Sequence, residues 1–162
     1  MDAAQLPGVG VVSVTVDARA VVASVVDPEI PVLTIEDLGV LRSVETEGGR
    51  VVVTITPTYS GCPAMRQIED DISSALVKEG FTDHEIVVVH NPAWSTDWMS
   101  DRAREKLDEF GIAPPTGIEE VLCPRCREPD PRMIARFGST ACKALMVCSS
   151  CGEPFDYFKE LR

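Results

Sequence analysis

The stretch Arg50-Val51-Val52-Val53-Thr54-Ile55-Thr56-Pro57-Thr58-Tyr59-Ser60-Gly61-Cys62-Pro63 is followed by a change of period that sets the fold class. Positions 51, 53 and 55 are Val, Val and Ile, whereas 54 and 56 are Thr, so residues 50–56 read as a strand with one apolar face. After Pro63, Met65, Ile68, Ile72, Ala75 and Leu76 recur at helical spacing as far as Lys78, and Gly80 supplies a C-terminal stop. Upstream, Val40–Thr46 predicts a partner strand, turned around Glu47-Gly48-Gly49, a hairpin sequence that tolerates positive φ. Ala18, Val21, Val22, Val25 and Val26 predict an earlier helix, capped by Thr15 or Asp17 and ended by Asp27-Pro28-Glu29-Ile30-Pro31. Glu85–His90 predicts a third strand, and Asp101–Phe110 a charged helix between Ser100 and Gly111. The order αββαβα is that of an α+β fold, helices packed on one face of a small mixed β-sheet. Pro114-Pro115-Thr116-Gly117 then reads as a stiff linker.

Beyond the linker stand Cys123-Pro-Arg-Cys126 and Cys148-Ser-Ser-Cys151. Each CxxC can form a knuckle that aims two thiolates at one point, and two knuckles complete a tetrahedral sulfur shell. Twenty-one residues separate the pairs, room for a two-stranded excursion. The pattern predicts a C-terminal zinc-ribbon β module with Cys123, Cys126, Cys148 and Cys151 as ligands; the four cysteines alone do not separate zinc from iron, and two disulfides are the competing arrangement. A closed four-thiolate site is structural, so working chemistry is sought elsewhere. Loss of its metal is expected to unfold residues 121–162 and leave residues 15–110 folded.

The chain has 162 residues, 44% of them hydrophobic, enough for one compact domain and a small appendage. No run approaches the ~20 apolar residues of a membrane span. Met1 to Val16 lacks the basic start and cleavage site of a signal peptide, and thiols kept for metal suit a reducing compartment, so the expected location is cytoplasmic. Charge divides unevenly: residues 1–120 carry 8 Lys/Arg against 21 Asp/Glu, a net −13, and residues 121–162 carry 7 against 5, a net +2. A field of that sign repels phosphate, which argues against a nucleic-acid ligand and for protein partners.

The loop Thr56–Pro63 is the first candidate site. With Pro63 at the first helical position, Cys62 falls at the N-cap, where free N–H groups and the helix dipole would favour a thiolate. Gly61 lets the backbone turn closely, and Thr58, Tyr59 and Ser60 offer hydrogen bonds. A Cys that only caps the helix fits the pattern equally well. His84 and His90 are the two histidines, and neither has a neighbour that would orient it as a base for Cys62. Asp27, Glu29, Glu36 and Asp37 form an acidic, proline-shaped loop, solvated by default. Trp94 and Trp98 suggest a plug over the sheet end or a docking patch. Cys142, the sixth thiol, lies beside Lys143, which could lower its pKa; a packed strand thiol is the alternative.

Asp27-Pro28-Glu29-Ile30-Pro31-Val32-Leu33, Asp37-Leu38-Gly39 and Thr56-Pro57-Thr58-Tyr59-Ser60-Gly61-Cys62-Pro63-Ala64 resemble the signatures of the SufT-like iron–sulfur assembly domain family, over roughly residues 15–110. The two CxxC pairs, Phe137-Gly-Ser-Thr-Ala-Cys-Lys-Ala144 and the segment running on to Lys159 narrow the likeness to the PaaD family of the phenylacetyl-CoA 1,2-epoxidase system. The resemblance implies a SufT-like domain over residues 1–115 and a four-cysteine zinc ribbon over 116–162. It also implies a non-catalytic accessory or maturation subunit in aerobic phenylacetate degradation, assisting iron–sulfur cluster assembly on the reductase component. Implied partners are the reductase and oxygenase subunits and other iron–sulfur assembly proteins; self-association is left open. Cys62 would be the functional thiol and a transient ligand of a cluster or iron ion, or the carrier of a persulfide. The alternative makes the chain a direct structural or catalytic component of the epoxidase through Cys62.

Overall fold

The computed structural model describes residues 16–161. The apolar residues 1–15, and Thr15 as a cap, lie outside the described residues. Helix α1 (Ala18–Ala23) is capped by Asp17, whose carboxylate accepts from the Arg19 N–H at 3.0 Å. It stops before Val25 and Val26, earlier than their spacing predicts. There Asp27 N–H donates to Leu33 O, Ile35 N–H donates to Val25 O, and Val26 bridges Thr34, so extended pairing takes over from helix.

Strands β1 (Leu41–Glu47) and β2 (Arg50–Ile55) form an antiparallel hairpin. Gly48 and Gly49 turn it at φ 57° and 91°, the positive angles of a tight hairpin turn. Helix α2 (Ala64–Lys78) crosses over to β3 (His84–Val88), which pairs parallel with β2 and completes a sheet ordered β1-β2-β3. Strand β3 begins one residue earlier than predicted and ends before His90. Val51, Val53 and Ile55 are fully buried and meet Val22 of α1, Ile68, Ile72 and Leu76 of α2, and Ile30, Leu33, Ile35 and Leu38 of the preceding loop. Each such side chain contributes about 1.5–3 kcal/mol on burial, so this face organises the fold. Among the described residues, no helix is long and apolar enough to cross a membrane.

Trp94 is a plug rather than a docking patch. It is 4% exposed, donates its indole N–H to Leu38 O at 3.0 Å, and lies 6.1 Å from the Phe158 ring. Trp98 packs under the Arg42 guanidinium, 3.6 Å from its centroid. Gly39 explains its motif: at φ 71°, an added Cβ would fall 2.5 Å from Trp98 O, so another residue would force the loop apart.

Helix α3 (Asp101–Glu109), capped by Ser100, leads into β4 (Ile112–Ala113). Strands β5 (Arg132–Ala135), β6 (Lys143–Val147) and β7 (Pro154–Phe158) join it in a second sheet ordered β4-β7-β6-β5. The β4–β7 pair is parallel and the others antiparallel. The prolines at 114 and 115 therefore follow the first strand of this sheet instead of preceding it. Ala113, Val121, Ala144, Met146, Phe155 and Tyr157 gather around Cys123 and Cys148 in a second core. Cys142 and Phe158 belong instead to the core under the first sheet. The architecture is α+β, with a cysteine-rich β module at the C-terminal end.

Candidate functional site

Cys62 closes the loop between β2 and α2. Gly61 takes φ 84°, Cys62 N–H donates to Tyr59 O at 3.3 Å, and Met65 N–H donates to Cys62 O at 3.3 Å, so the loop turns tightly into the helix. The cap position falls on Pro63, one residue later than predicted, which leaves half-buried Cys62 just outside it. The Ala64 N–H still points at the sulfur and favours the thiolate. Burial outweighs it, and the carboxylates of Glu29 and Asp27 add to burial, so the Cys62 pKa is raised. The thiolate expected from the helix end is thus disfavoured, by burial first and then by two distant carboxylates that the local sequence pattern did not show. The Tyr59 hydroxyl hydrogen-bonds the thiol; burial, then the Cys62 charge, push that phenol up to about 12, so it remains a donor. Thr58 is half-buried, and Ser60 and Gly61 are exposed on the same loop.

His84 does not serve Cys62. Its ring nitrogens engage Ser73 Oγ at 2.8 Å and the Phe81 carbonyl at 2.9 Å, near the C-terminal end of α2, a helix about 22 Å long. A hydrolase-type nucleophile needs a lowered pKa, whereas that of Cys62 is raised. The acidic loop is largely structural. Asp27 is 8% exposed and accepts from the Glu29 and Ile30 N–H groups at 2.8 Å each, which shapes the turn at Pro28. Asp37 exchanges hydrogen bonds with Thr34 and pairs with Lys106 of α3. Glu36 pairs with Arg19 on the surface.

Cys123, Cys126, Cys148 and Cys151 come together with their sulfurs all within 4.8 Å of one another. Cys123–Cys151 and Cys126–Cys148 are separated by 3.8 and 3.5 Å. An S–S bond is about 2.05 Å, so these are free thiols rather than disulfides. A tetrahedron with metal–sulfur bonds of about 2.3 Å has edges of about 3.8 Å, so the donor set fits one soft metal ion. The two knuckles repeat one backbone plan. Arg127 and Gly152 stand four residues after Cys123 and Cys148, at φ 64° and 74°, and return their N–H groups to the carbonyls of those cysteines at 2.9 and 3.1 Å. The backbone N–H groups of Cys123 and Cys148 donate to Glu128 O and Glu153 O at 3.0 and 2.9 Å. The Cys151 N–H, 3.4 Å from Cys148 Sγ, favours the thiolate and helps bring that pKa down to about 6.

Cys142 follows the packed-thiol alternative of its sequence reading rather than the activated one, although it packs into an unexpected core. It stands just before β6, 5% exposed, in the core of the first sheet. Burial, with Glu29 and Asp27 adding to it, raises its pKa, which Thr140 and Lys143 only partly offset. Lys143 is itself 4% exposed and pairs with Asp156 at 3.0 Å, so it is not free to activate the thiol. The excursion pattern gave no sign of this placement; the only available signal was that the metal site leaves a sixth thiol unused.

Residues 15–88 match the family model described as iron–sulfur cluster assembly protein, and residues 112–159 match the PaaD zinc beta ribbon domain. An Escherichia coli (strain K12) protein, named as a putative subunit of 1,2-phenylacetyl-CoA epoxidase, is 51% identical over 86% of this chain and 89% of that protein. The Bacillus subtilis (strain 168) Fe-S protein maturation auxiliary factor YitW is 39% identical over 51% of this chain and 82% of its own length. A crystal structure of a domain of unknown function, DUF59, from Bacillus anthracis superposes with a TM-score of 0.51 and 35% identity, covering 56% of this chain and 87% of that one. With a relative of that identity along nearly the whole length, and both family models matched in series, the chain belongs to the PaaD family.

Proposed function

We propose that the chain is a non-catalytic maturation subunit that helps place an iron–sulfur cluster on the reductase component of a phenylacetyl-CoA epoxidase system. Cys62 is the working thiol, flanked by Thr58, Ser60 and Gly61, and it holds its cargo transiently as a cluster or iron ion. The observation that carries the reading is the half-buried Cys62 in its Tyr59-bonded loop, within the part matched by the assembly family. Iron displaces the Cys62 proton when it binds, so a thiol held protonated when empty regains its proton on release and keeps its cargo only transiently. Cys123, Cys126, Cys148 and Cys151 hold one structural zinc, which fixes the β module as a client-recognition surface. Residues 1–115 are taken as the assembly unit and 116–162 as the ribbon, with β4 at residues 112–113 lent across that boundary to the ribbon's sheet. The reductase and oxygenase subunits and other assembly proteins are the partners, in the cytoplasm, and the net charge of −11 disfavours nucleic acid.

The test is reductase isolated anaerobically from cells carrying Cys62→Ala. The variant itself is expected to fold and keep zinc, because Ile68, Ile72 and Leu76 still bury their stripe. The reductase should lack most of its iron and acid-labile sulfide. A reductase with its full cluster would reduce Cys62 to a helix-end residue and move the function to surfaces alone.

A further inference from the structure

We propose that a hollow on the ribbon beside Phe137 docks an acidic segment of the client protein, an apolar side chain entering against Met133 and Tyr157 while carboxylates meet Arg136 and Lys159. The inference rests on the reading of the β module as a client-recognition surface, and it says where on that module the client sits and by what chemistry. The hollow, about 290 Å³, is lined by Ile118, Met133, Arg136, Tyr157, Lys159 and Glu160. Tyr157, 3% exposed, belongs to the second core and Met133 packs against it, so these two give the hollow a fixed apolar wall. Ile118 lines it while 54% exposed, and Phe137 adjoins it at 67%. They are the two most exposed large apolar side chains among the described residues.

A single exposed apolar residue is ordinary on a protein surface. Phe137 differs in being held in place. The Lys159 ammonium lies over its ring, 4.4 Å from the centroid, and donates to Arg136 O at 3.1 Å. The next residue, Gly138, donates its N–H to Lys143 O at 2.8 Å, and a Cβ there would meet Asp156 Oδ1 at 2.9 Å. The ring is thus presented with little ordering left to lose, flanked by an arginine, which is the make-up of a binding hot spot. This gives the Phe137-Gly138 part of the sequence motif a use that neither the zinc site nor Cys62 supplies.

Charge selects the occupant. Among the described residues of the ribbon, Arg125, Arg127 and Lys143 are paired with Glu153, Asp108 and Asp156. Arg132, Arg136 and Lys159 have no such ion pair, and Arg132 stands next to Met133 on β5, the edge strand of the second sheet. A net +2 over residues 121–162, on a chain of net −11, makes this the face that attracts carboxylates. Three cations are too few to hold a phosphate backbone against that overall charge, whereas a protein segment alternates carboxylates with apolar side chains as the hollow does.

The experiment labels the zinc-loaded full chain and titrates it with purified reductase component, by fluorescence anisotropy at low and at physiological salt. Phe137→Ser, Arg136→Glu, Arg136→Gln, Lys159→Glu and Cys62→Ser are compared with wild type, with zinc content and melting temperature verifying each fold. Phe137 and Arg136 are exposed, so their substitution leaves both cores intact. Phe137→Ser, Arg136→Glu and Lys159→Glu should each weaken binding about tenfold or more, Arg136→Gln less than Arg136→Glu, and Cys62→Ser not at all. Salt should weaken wild-type binding. Hydrogen exchange should place the protected reductase segment in a stretch of net negative charge. Equal binding by the ribbon variants, no binding by wild type, or protection on a segment without net negative charge would overturn the proposal. So would capture of single-stranded DNA, or of a second copy of the chain in sedimentation, through Arg136 and Phe137. Wild-type docking in every ribbon variant, beside a cluster-poor reductase from cells carrying Cys62→Ala, would remove this surface and leave the maturation reading. Docking lost in the variants, beside a fully loaded reductase from those cells, would keep the surface and remove that reading.

Discussion

At Cys62 a favourable helix end competes with an unfavourable acidic neighbourhood, and burial decides the outcome in favour of the protonated thiol. Glu29 is the neighbour open to test, because Asp27 is locked into its turn. Glu29→Gln removes a negative charge and leaves the shape, so Cys62 should alkylate severalfold faster near pH 7.5. Iodoacetamide kinetics with peptide mapping would read this, and an unchanged rate would show that Glu29 does not reach the thiol. Residue identities in the loop were legible from sequence, but the charge state was not, since Glu29 lies 33 positions upstream. Asp37 behaves oppositely. Burial disfavours its charge, yet the bonds from Lys106 and Thr34 win and hold its pKa below the ordinary value. Its contribution to stability is therefore complete above about pH 4 and lost as pH falls through the folded value. Between pH 6 and pH 3 the urea midpoint of wild type should fall further than that of Lys106→Met. Equal falls would show that the pair contributes nothing.

Among the elements, the period-two strand and the α2 stripe were readable because each has one wet and one buried face. The ends were less so: Pro63 shifted the cap by one residue, and Val25 and Val26 left α1 because pairing with the 33–35 segment satisfies their backbone. Strand β4 has two residues and no sequence period at all. The knuckles carry a sharper test. Both need a left-handed residue after the second cysteine, and one uses glycine while the other uses Arg127. Nothing lies within 4 Å of a Cβ built on Gly152, so Gly152→Ala tests backbone conformation alone. It should cost about 1–2 kcal/mol and weaken zinc binding by roughly tenfold or more in competition with a chelator. Arg127→Gly relieves the same strain but deletes the bonds to Asp108 of α3 at 2.6 and 2.7 Å, so it should leave zinc affinity intact. Weakened zinc binding in Arg127→Gly would show that the ion pair, rather than the turn, sets the knuckle.

At the scale of the whole molecule, the expectation that residues 15–110 stay folded without the metal meets an obstacle. Phe158 of β7, 1% exposed, is part of the first core and faces Trp94, and Thr96 N–H and Oγ1 both donate to Leu161 O, at 2.9 and 3.0 Å. Cys142 enters the same core from the start of β6. A two-part reading of the sequence could not show this, because hydrophobic residues of a small sheet do not declare which core they will join. If the ribbon holds its last strand in place through zinc, stripping the metal should loosen the packing around Trp94 more than 20 residues before the first knuckle. In a Trp98→Phe background, the fluorescence of Trp94 should shift to longer wavelength on chelation, with a single melting transition at lower temperature. Phe158→Ala should produce the same shift with zinc still bound, at a cost of about 3–5 kcal/mol. Trp94 emission and first-core melting that ignore both treatments would show that the ribbon merely rests on the assembly fold, and that the two parts stand on separate cores.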